Sequence, residues 1–141
     1  MKCMNTIAEK QAELIEIYNG LADPIMQYEF LLQLAGETPI PSESEKNDAA
    51  KIKNCQTDSW FIMRRQHDKF YLQVDSDALL IRGVLSIYAY LLDGRTTEEI
   101  INTPINFMEK TTIREQLSVS RFSILSELSD TIYKFCKENF N

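Results

Sequence analysis

The segment from Ala78 to Leu92 constrains the fold more than any other part of the chain. Leu79, Leu80, Ile81, Val84, Leu85, Ile87, Tyr88, Leu91 and Leu92 leave it almost no polar face. A helix that is apolar nearly all round must be enclosed by other elements, so this one is expected at the centre of the core. Asp75 or Ser76 can cap its start and Gly94 can end it.

The elements that must enclose it are legible on either side. Residues 6–19 set Ile7, Leu14, Ile15, Ile17 and Tyr18 among polar residues at helical spacing. A second helix is expected after Asp23 as N-cap and Pro24 at the first helical position, with Gly36 at its stop. Residues 37–48 read as an exposed loop. Trp60 to Met63 is a β-prone run, and Phe70, Leu72 and Val74 alternate with Lys69, Tyr71 and Gln73, the period of a half-buried strand. Gln66-His67-Asp68 is the expected hairpin turn, and Lys51-Ile52-Lys53 a short third strand, which places Cys55 in an exposed tight connection. Thr96 to Glu99 fits a capping box, a short helix follows Pro104, and a last helix capped by Ser118 or Ser120 carries Phe122, Leu125, Leu128, Ile132 and Phe135. The expected architecture is α+β, with helices packed on a small three-stranded antiparallel sheet.

Composition excludes several classes of function. The 141 residues are one domain by size, and with 44% hydrophobic and 26% charged residues they are ordinary for a globular chain. No apolar run approaches the roughly 20 residues that span a bilayer, so no membrane partner is expected. The opening Met1-Lys2-Cys3-Met4-Asn5 does not read as a signal peptide, and three cysteines suggest no disulfide framework, so a cytoplasmic location is expected. Fifteen basic against 21 acidic residues give a net charge of −6, which argues against nucleic acid as a partner. No cysteine or histidine pair has metal-ligand spacing, and no glycine pair forms a phosphate loop.

One segment runs against the overall charge. Between Ala49 and Val74, Lys51, Lys53, Arg64, Arg65 and Lys69 face only Asp58 and Asp68, and Cys55 lies within it. Such charge can simply solvate a strand face, but cations are also what a reactive thiolate needs. Cys55 itself is either a small buried hydrophobe or a functional thiol. Its polar neighbours Asn54, Gln56 and Thr57 favour exposure, and Asn54 tolerates the positive φ of a sharp turn. His67 as a base for Cys55 is the formal hydrolase alternative. Asp75, Ser76 and Asp77 read as helix-start residues. Arg121, in the first turn of a helix, opposes the helix dipole and calls for an anionic partner.

Taken in order, these motifs resemble the SufE family. Asn54-Cys55-Gln56-Thr57 with Trp60 is similar to its Gly-Cys-Gln-Ser and nearby Trp. Asp75-Ser76-Asp77-Ala78, then Arg82-Gly83, then Gly94 with Thr97-Glu98-Glu99-Ile100 follow its pattern, as do Leu117 to Arg121 and, upstream, Tyr28 to Leu34 with Pro39. The likeness runs from about Ile7 to Lys137. The chain departs from the pattern at Gln27 (usually basic), Asn54 (glycine), Thr57 (serine), Val119 (proline) and Ile124 (glycine).

The resemblance implies an α+β fold similar to the IscU scaffold proteins, without their metal-ligating cysteines. It implies that the Cys55 thiolate accepts sulfur as a persulfide from a pyridoxal-phosphate cysteine desulfurase of the SufS or CsdA kind. The pyridoxal phosphate belongs to that partner, so no cofactor of the chain's own is expected. The sulfur would pass to a SufBCD-like scaffold complex for iron–sulfur cluster assembly. Asn54 and Gln56 would shape the cysteine loop, Asp75 and Asp77 hold the adjoining helix start, and Arg82, Arg121 and the basic strand residues support the site or favour the anion. The family stimulates its desulfurase and has no stand-alone turnover. Two other readings stay open: a homologue that regulates the desulfurase without carrying sulfur, and an independent thiol enzyme.

Overall fold

The computed structural model describes residues 6–138. Its first two helices are α1 (Ile7–Gly20) and α2 (Pro24–Glu37). Thr6 opens α1 with a reciprocal capping box, its hydroxyl accepting from Glu9 N–H and the Glu9 carboxylate from Thr6 N–H. Asp23 caps α2 by accepting from Ile25 N–H, with Pro24 at the first helical position as expected. A long connection containing a 3₁₀ turn at Asp48–Ala50 leads to the hairpin β1 (Ser59–Gln66) and β2 (Lys69–Ser76). The strands pair antiparallel from Ser59 opposite Ser76 to Gln66 opposite Lys69, and His67 takes positive φ in the turn.

Among the described residues the sheet has two strands, not three. The expected strand at 51–53 is reduced to one bridge between Lys51 and Trp60, with Ile52 N–H donating to the Ser59 carbonyl at 2.8 Å. The reason is local. Asn54 adopts φ +65° and turns the chain away before a second pair can form. The other sheet edge is covered by the segment after the central helix: Phe70 N–H donates to Arg95 O and Gly94 N–H to Phe70 O.

The central helix α3 (Leu79–Leu92) is buried on nearly every side from Ile81 to Tyr88 and again at Leu91 and Leu92. Each such aliphatic side chain contributes about 1.5–3 kcal/mol by leaving water. Leu79, counted with the core by pattern, is exposed instead. Gly83 sits where α3 crosses α2 so closely that a Cβ would fall on the Leu31 carbonyl oxygen, which explains a glycine in the middle of a core helix. Gly94, at φ +82°, ends the helix as expected. The start differs from expectation. Asp75 and Ser76 still belong to β2, and the residue before the helix is Ala78, with no side-chain cap.

The remaining helices close the core. In α4 (Thr97–Ile101) Thr96 accepts from Glu99 N–H, but the return half of the expected capping box is absent, because the Glu99 carboxylate accepts from Ile7 N–H and Arg95. After α5 (Phe107–Lys110), the single last helix expected from the sequence is two: α6 (Val119–Ser126), capped by Ser118, and α7 (Leu128–Glu138). They divide at Glu127, next to the point where the buried Tyr88 hydroxyl donates to the Leu125 carbonyl at 2.7 Å. Leu125, Leu128 and Ile132 are buried against the core, with Phe122 and Phe135 packed at its margin.

Candidate functional site

Cys55 lies in the connection between the Lys51 bridge and β1, half-buried, directly after the positive-φ Asn54. An asparagine tolerates that backbone region better than a larger or branched residue, so the turn that presents the thiol is encoded locally. Gln56 and Asn54 are exposed. The Cys55 sulfur is 3.8 Å from the Ser59 hydroxyl, which in turn lies 2.8 Å from the Ser76 hydroxyl across the hairpin. Ser59 and Ser76 are both buried. Sequence reasoning missed Ser59, whose only signal was its place one residue before Trp60.

Two side chains tie the loop to its surroundings. Arg121, at the start of α6, donates to the Thr57 hydroxyl at 3.1 Å. It therefore holds the loop by a neutral partner, and among the described residues it makes no ion pair with the carboxylate expected for it. Asp77 is exposed, and its N–H donates to the Asp58 carbonyl at 3.0 Å, linking the end of β2 to the cysteine loop.

Asp75 and Arg82 meet beneath this end of the hairpin. Arg82 Nε donates to Asp75 Oδ1 at 2.8 Å, both side chains being buried, and Arg82 Nη2 donates to the carbonyls of Thr38 and Pro39. Ser76 N–H also donates to Asp75 Oδ1, and Lys46 Nζ to Asp75 Oδ2 at 3.0 Å. Burial pushes the Asp75 carboxyl up, but Lys46, Ser76 N–H and Arg82 together outweigh it and hold it below the usual carboxylate range. The Lys46 ammonium also lies over the Trp60 ring, 4.8 Å from its centroid. Lys46, which the sequence placed in an exposed loop, thus pins that loop to the sheet.

The basic segment does not gather at the thiol. Lys51 pairs with Asp58 at 3.6 Å, and Lys53 is exposed beside the turn. Arg64 pairs with Glu45, and Arg65 donates to the His67 and Cys136 carbonyls. Arg65 stands opposite Phe70, six residues from Ser59, or about 20 Å along the strand. His67 lies at the far tip of the hairpin, roughly 25 Å from the cysteine end, so it cannot serve Cys55 as a base.

A groove of about 380 Å³ runs behind the cysteine loop, lined by Ile52, Phe61, Met63, Ile124 and Leu128 among others. Ile124, one of the departures from the SufE pattern, lines this groove. Gln27, another departure, is buried and bonded to the carbonyls of Tyr18 and Leu21 and to the Thr112 hydroxyl, a structural role in the α1–α2 turn. Among the described residues no cluster of three or more His, Cys, Asp or Glu side chains could hold a metal ion. No helix among them is long and apolar enough to cross a membrane. Cys136 is buried in α7, and Cys3 lies outside the described residues.

Comparison with known proteins bears on the family and the fold. A SufE-like protein of Synechocystis is 28% identical over 116 residues, covering 82% of this chain and 73% of that protein. The solution structure of a hypothetical protein from Thermus thermophilus superposes with a TM-score of 0.75 at 16% identity, covering 93% of this chain and 96% of the other, a likeness of fold. The model of the SufE family, described as an Fe-S metabolism associated domain, matches residues 12–136. That span contains Cys55, the Asp75–Arg82 pair and Arg121, and the chain belongs to the SufE family, whose role is sulfur transfer in iron–sulfur metabolism.

Proposed function

We propose that this protein is a sulfur acceptor that carries persulfide sulfur on Cys55 between a cysteine desulfurase and an iron–sulfur cluster scaffold. The observation that carries the reading is the placement of Cys55: half-exposed, at a sharp turn after Asn54, with Arg121 and Asp77 bonded to the same loop. A core cysteine would be enclosed, as Cys136 is.

In the first step the Cys55 thiolate attacks the outer sulfur of the desulfurase persulfide. A new S–S bond forms at Cys55, the old one breaks, and the desulfurase thiolate leaves. In the second step a thiolate of the receiving complex attacks that outer sulfur, and the Cys55 thiolate leaves. No electrons are gained or lost overall, and no cofactor of this chain is required. The exposed side chains of Leu79 and Val119, at the starts of α3 and α6, suit a rim that docks on a partner. The partners are a SufS- or CsdA-like desulfurase and a SufBCD-like scaffold, in the cytoplasm.

The test is stimulation of desulfurase turnover, read as sulfide released from cysteine. Wild-type protein should stimulate and Cys55→Ser should not. Stimulation that survives in Cys55→Ser would instead identify a regulator that carries no sulfur.

A further inference from the structure

We infer that Ser59 and Ser76 are positioning residues for Cys55, forming a hydroxyl relay that stabilises its sulfur as an anion. The inference rests on Cys55 being the sulfur-bearing residue and adds how this chain supports the anion without a cation against it.

The direction of the relay follows from counting hydrogens. Ala78 N–H, immediately before α3, donates to Ser76 Oγ at 3.1 Å. Ser59 Oγ donates to the Thr57 carbonyl at 3.2 Å, so its single hydrogen is committed there. With the Ser59 hydrogen on Thr57 O, the 2.8 Å contact between the two hydroxyls is made by the Ser76 hydrogen, donated to Ser59. Polarity runs from Ala78 N–H through Ser76 to Ser59, ending on a hydroxyl whose hydrogen has two acceptors in reach: Thr57 O and, at 3.8 Å, Cys55 Sγ.

Those acceptors do not compete equally in every state. A neutral thiol sulfur is a weak acceptor, and the carbonyl wins. A thiolate accepts a charge-assisted bond, which is roughly twice as strong as a neutral one. A rotation about the Ser59 Cβ–Oγ bond, which leaves the oxygen in place, is enough to move the hydrogen from one to the other. Both hydroxyls are buried, with Ser59 0% exposed, so water does not substitute for them.

The charged groups around the loop are engaged elsewhere or face solvent. Arg121 is on Thr57, Lys51 is on Asp58, and Lys53 and Asp77 are exposed. Cys55 is a thiolate both when it attacks the incoming sulfur and when it leaves after delivery. The relay therefore favours the first species of one step and the last species of the next.

The experiment needs no partner protein. The thiolate absorbance belonging to Cys55 is the difference between each protein and the same protein with Cys55→Ser, measured at one mildly alkaline pH. Ser59→Ala should lower the thiolate-to-thiol ratio about five-fold, the net of a charge-assisted bond to the thiolate over the neutral bond to Thr57 O that it replaces. Ser76→Ala should lower it about two-fold by depolarising Ser59. The double variant should lose no more than Ser59→Ala alone, because the hydroxyls act in series.

An unchanged ratio in Ser59→Ala or Ser76→Ala, or an additive double variant, would overturn the relay. If Ser59→Ala does not fold, Ser59→Thr and Ser76→Ala decide: the first keeps the hydroxyl and should keep the ratio, and the second should lower it. The opposite pair of results also overturns it. Loss of the relay in this assay with sulfur still loading on Cys55 would leave the carrier reading intact. A relay effect on a Cys55 that never accepts sulfur would do the reverse.

Discussion

Replacing Arg82 with methionine tests how the site is anchored. Methionine keeps most of the buried stem but removes the donors to Asp75 Oδ1 and to the Thr38 and Pro39 carbonyls. Removing one partner of a buried ion pair ordinarily costs about 3–5 kcal/mol. Here Asp75 keeps Lys46 and Ser76 N–H, so the loss should be smaller, about 2–3 kcal/mol, most of it the lost charge-assisted bond and the orphaned Thr38 carbonyl. For a chain of this length that is a fall of roughly 8 °C in Tm.

Urea and thermal melts measure it, repeated in an Asp75→Asn background. The cost of Arg82→Met should shrink by at least about 1 kcal/mol there, since the pair is already broken. The pH dependence has a definite sign. Asp75 is held below its unfolded value near 3.9, so the folded state binds fewer protons and the stabilisation is fully present above about pH 4. It is lost as pH falls through the folded value, and the gap between wild type and variant should close with it. A cost under about 1 kcal/mol at neutral pH, or the same cost in both backgrounds, would mean that the Asp75–Arg82 pair does not anchor the site.

Three further outcomes are expected. Gly83→Ala should destabilise by about 3 kcal/mol in urea melts, because the added methyl meets the backbone oxygen of Leu31, outweighing the gain of roughly 1 kcal/mol in helix propensity. Asn54→Gly should leave stability within about 0.5 kcal/mol, whereas Asn54→Val should cost about 1–2 kcal/mol and slow sulfur uptake, since a branched residue resists φ +65°. Burial pushes the Cys136 thiol up to about 11, so peptide mapping after brief iodoacetamide treatment of the native protein at about pH 8 should find Cys55 alkylated and Cys136 untouched.

The central helix, the α2 cap, the hairpin and the Asn54 turn were legible because each is encoded by neighbouring residues. Periodicity marks α3, Asp23-Pro24 marks a helix start, and an asparagine before a cysteine marks a turn. What was not legible depends on residues far apart in the chain. The Glu99 carboxylate looked committed to Thr96, but Ile7 N–H and Arg95 claim it. The last helix looked continuous, but Tyr88 reaches the Leu125 carbonyl next to the break. Asp75 read as a cap because it precedes a helix; its partners are Arg82 and Lys46, seven and 29 residues away. Ser59 could be seen only once strand register placed it opposite Ser76. The family pattern located Cys55, and the structure supplied the hydroxyl beneath it.

Sulfur carriage by Cys55 can be read directly by intact-protein and peptide mass spectrometry after mixing the protein with a cysteine desulfurase, pyridoxal phosphate and cysteine, without reductant. A gain of one sulfur mass that maps to Cys55 and is absent in Cys55→Ser is the expected result. Cys55 left unmodified while the desulfurase turns over and binds this protein would rule out a carrier role for this cysteine.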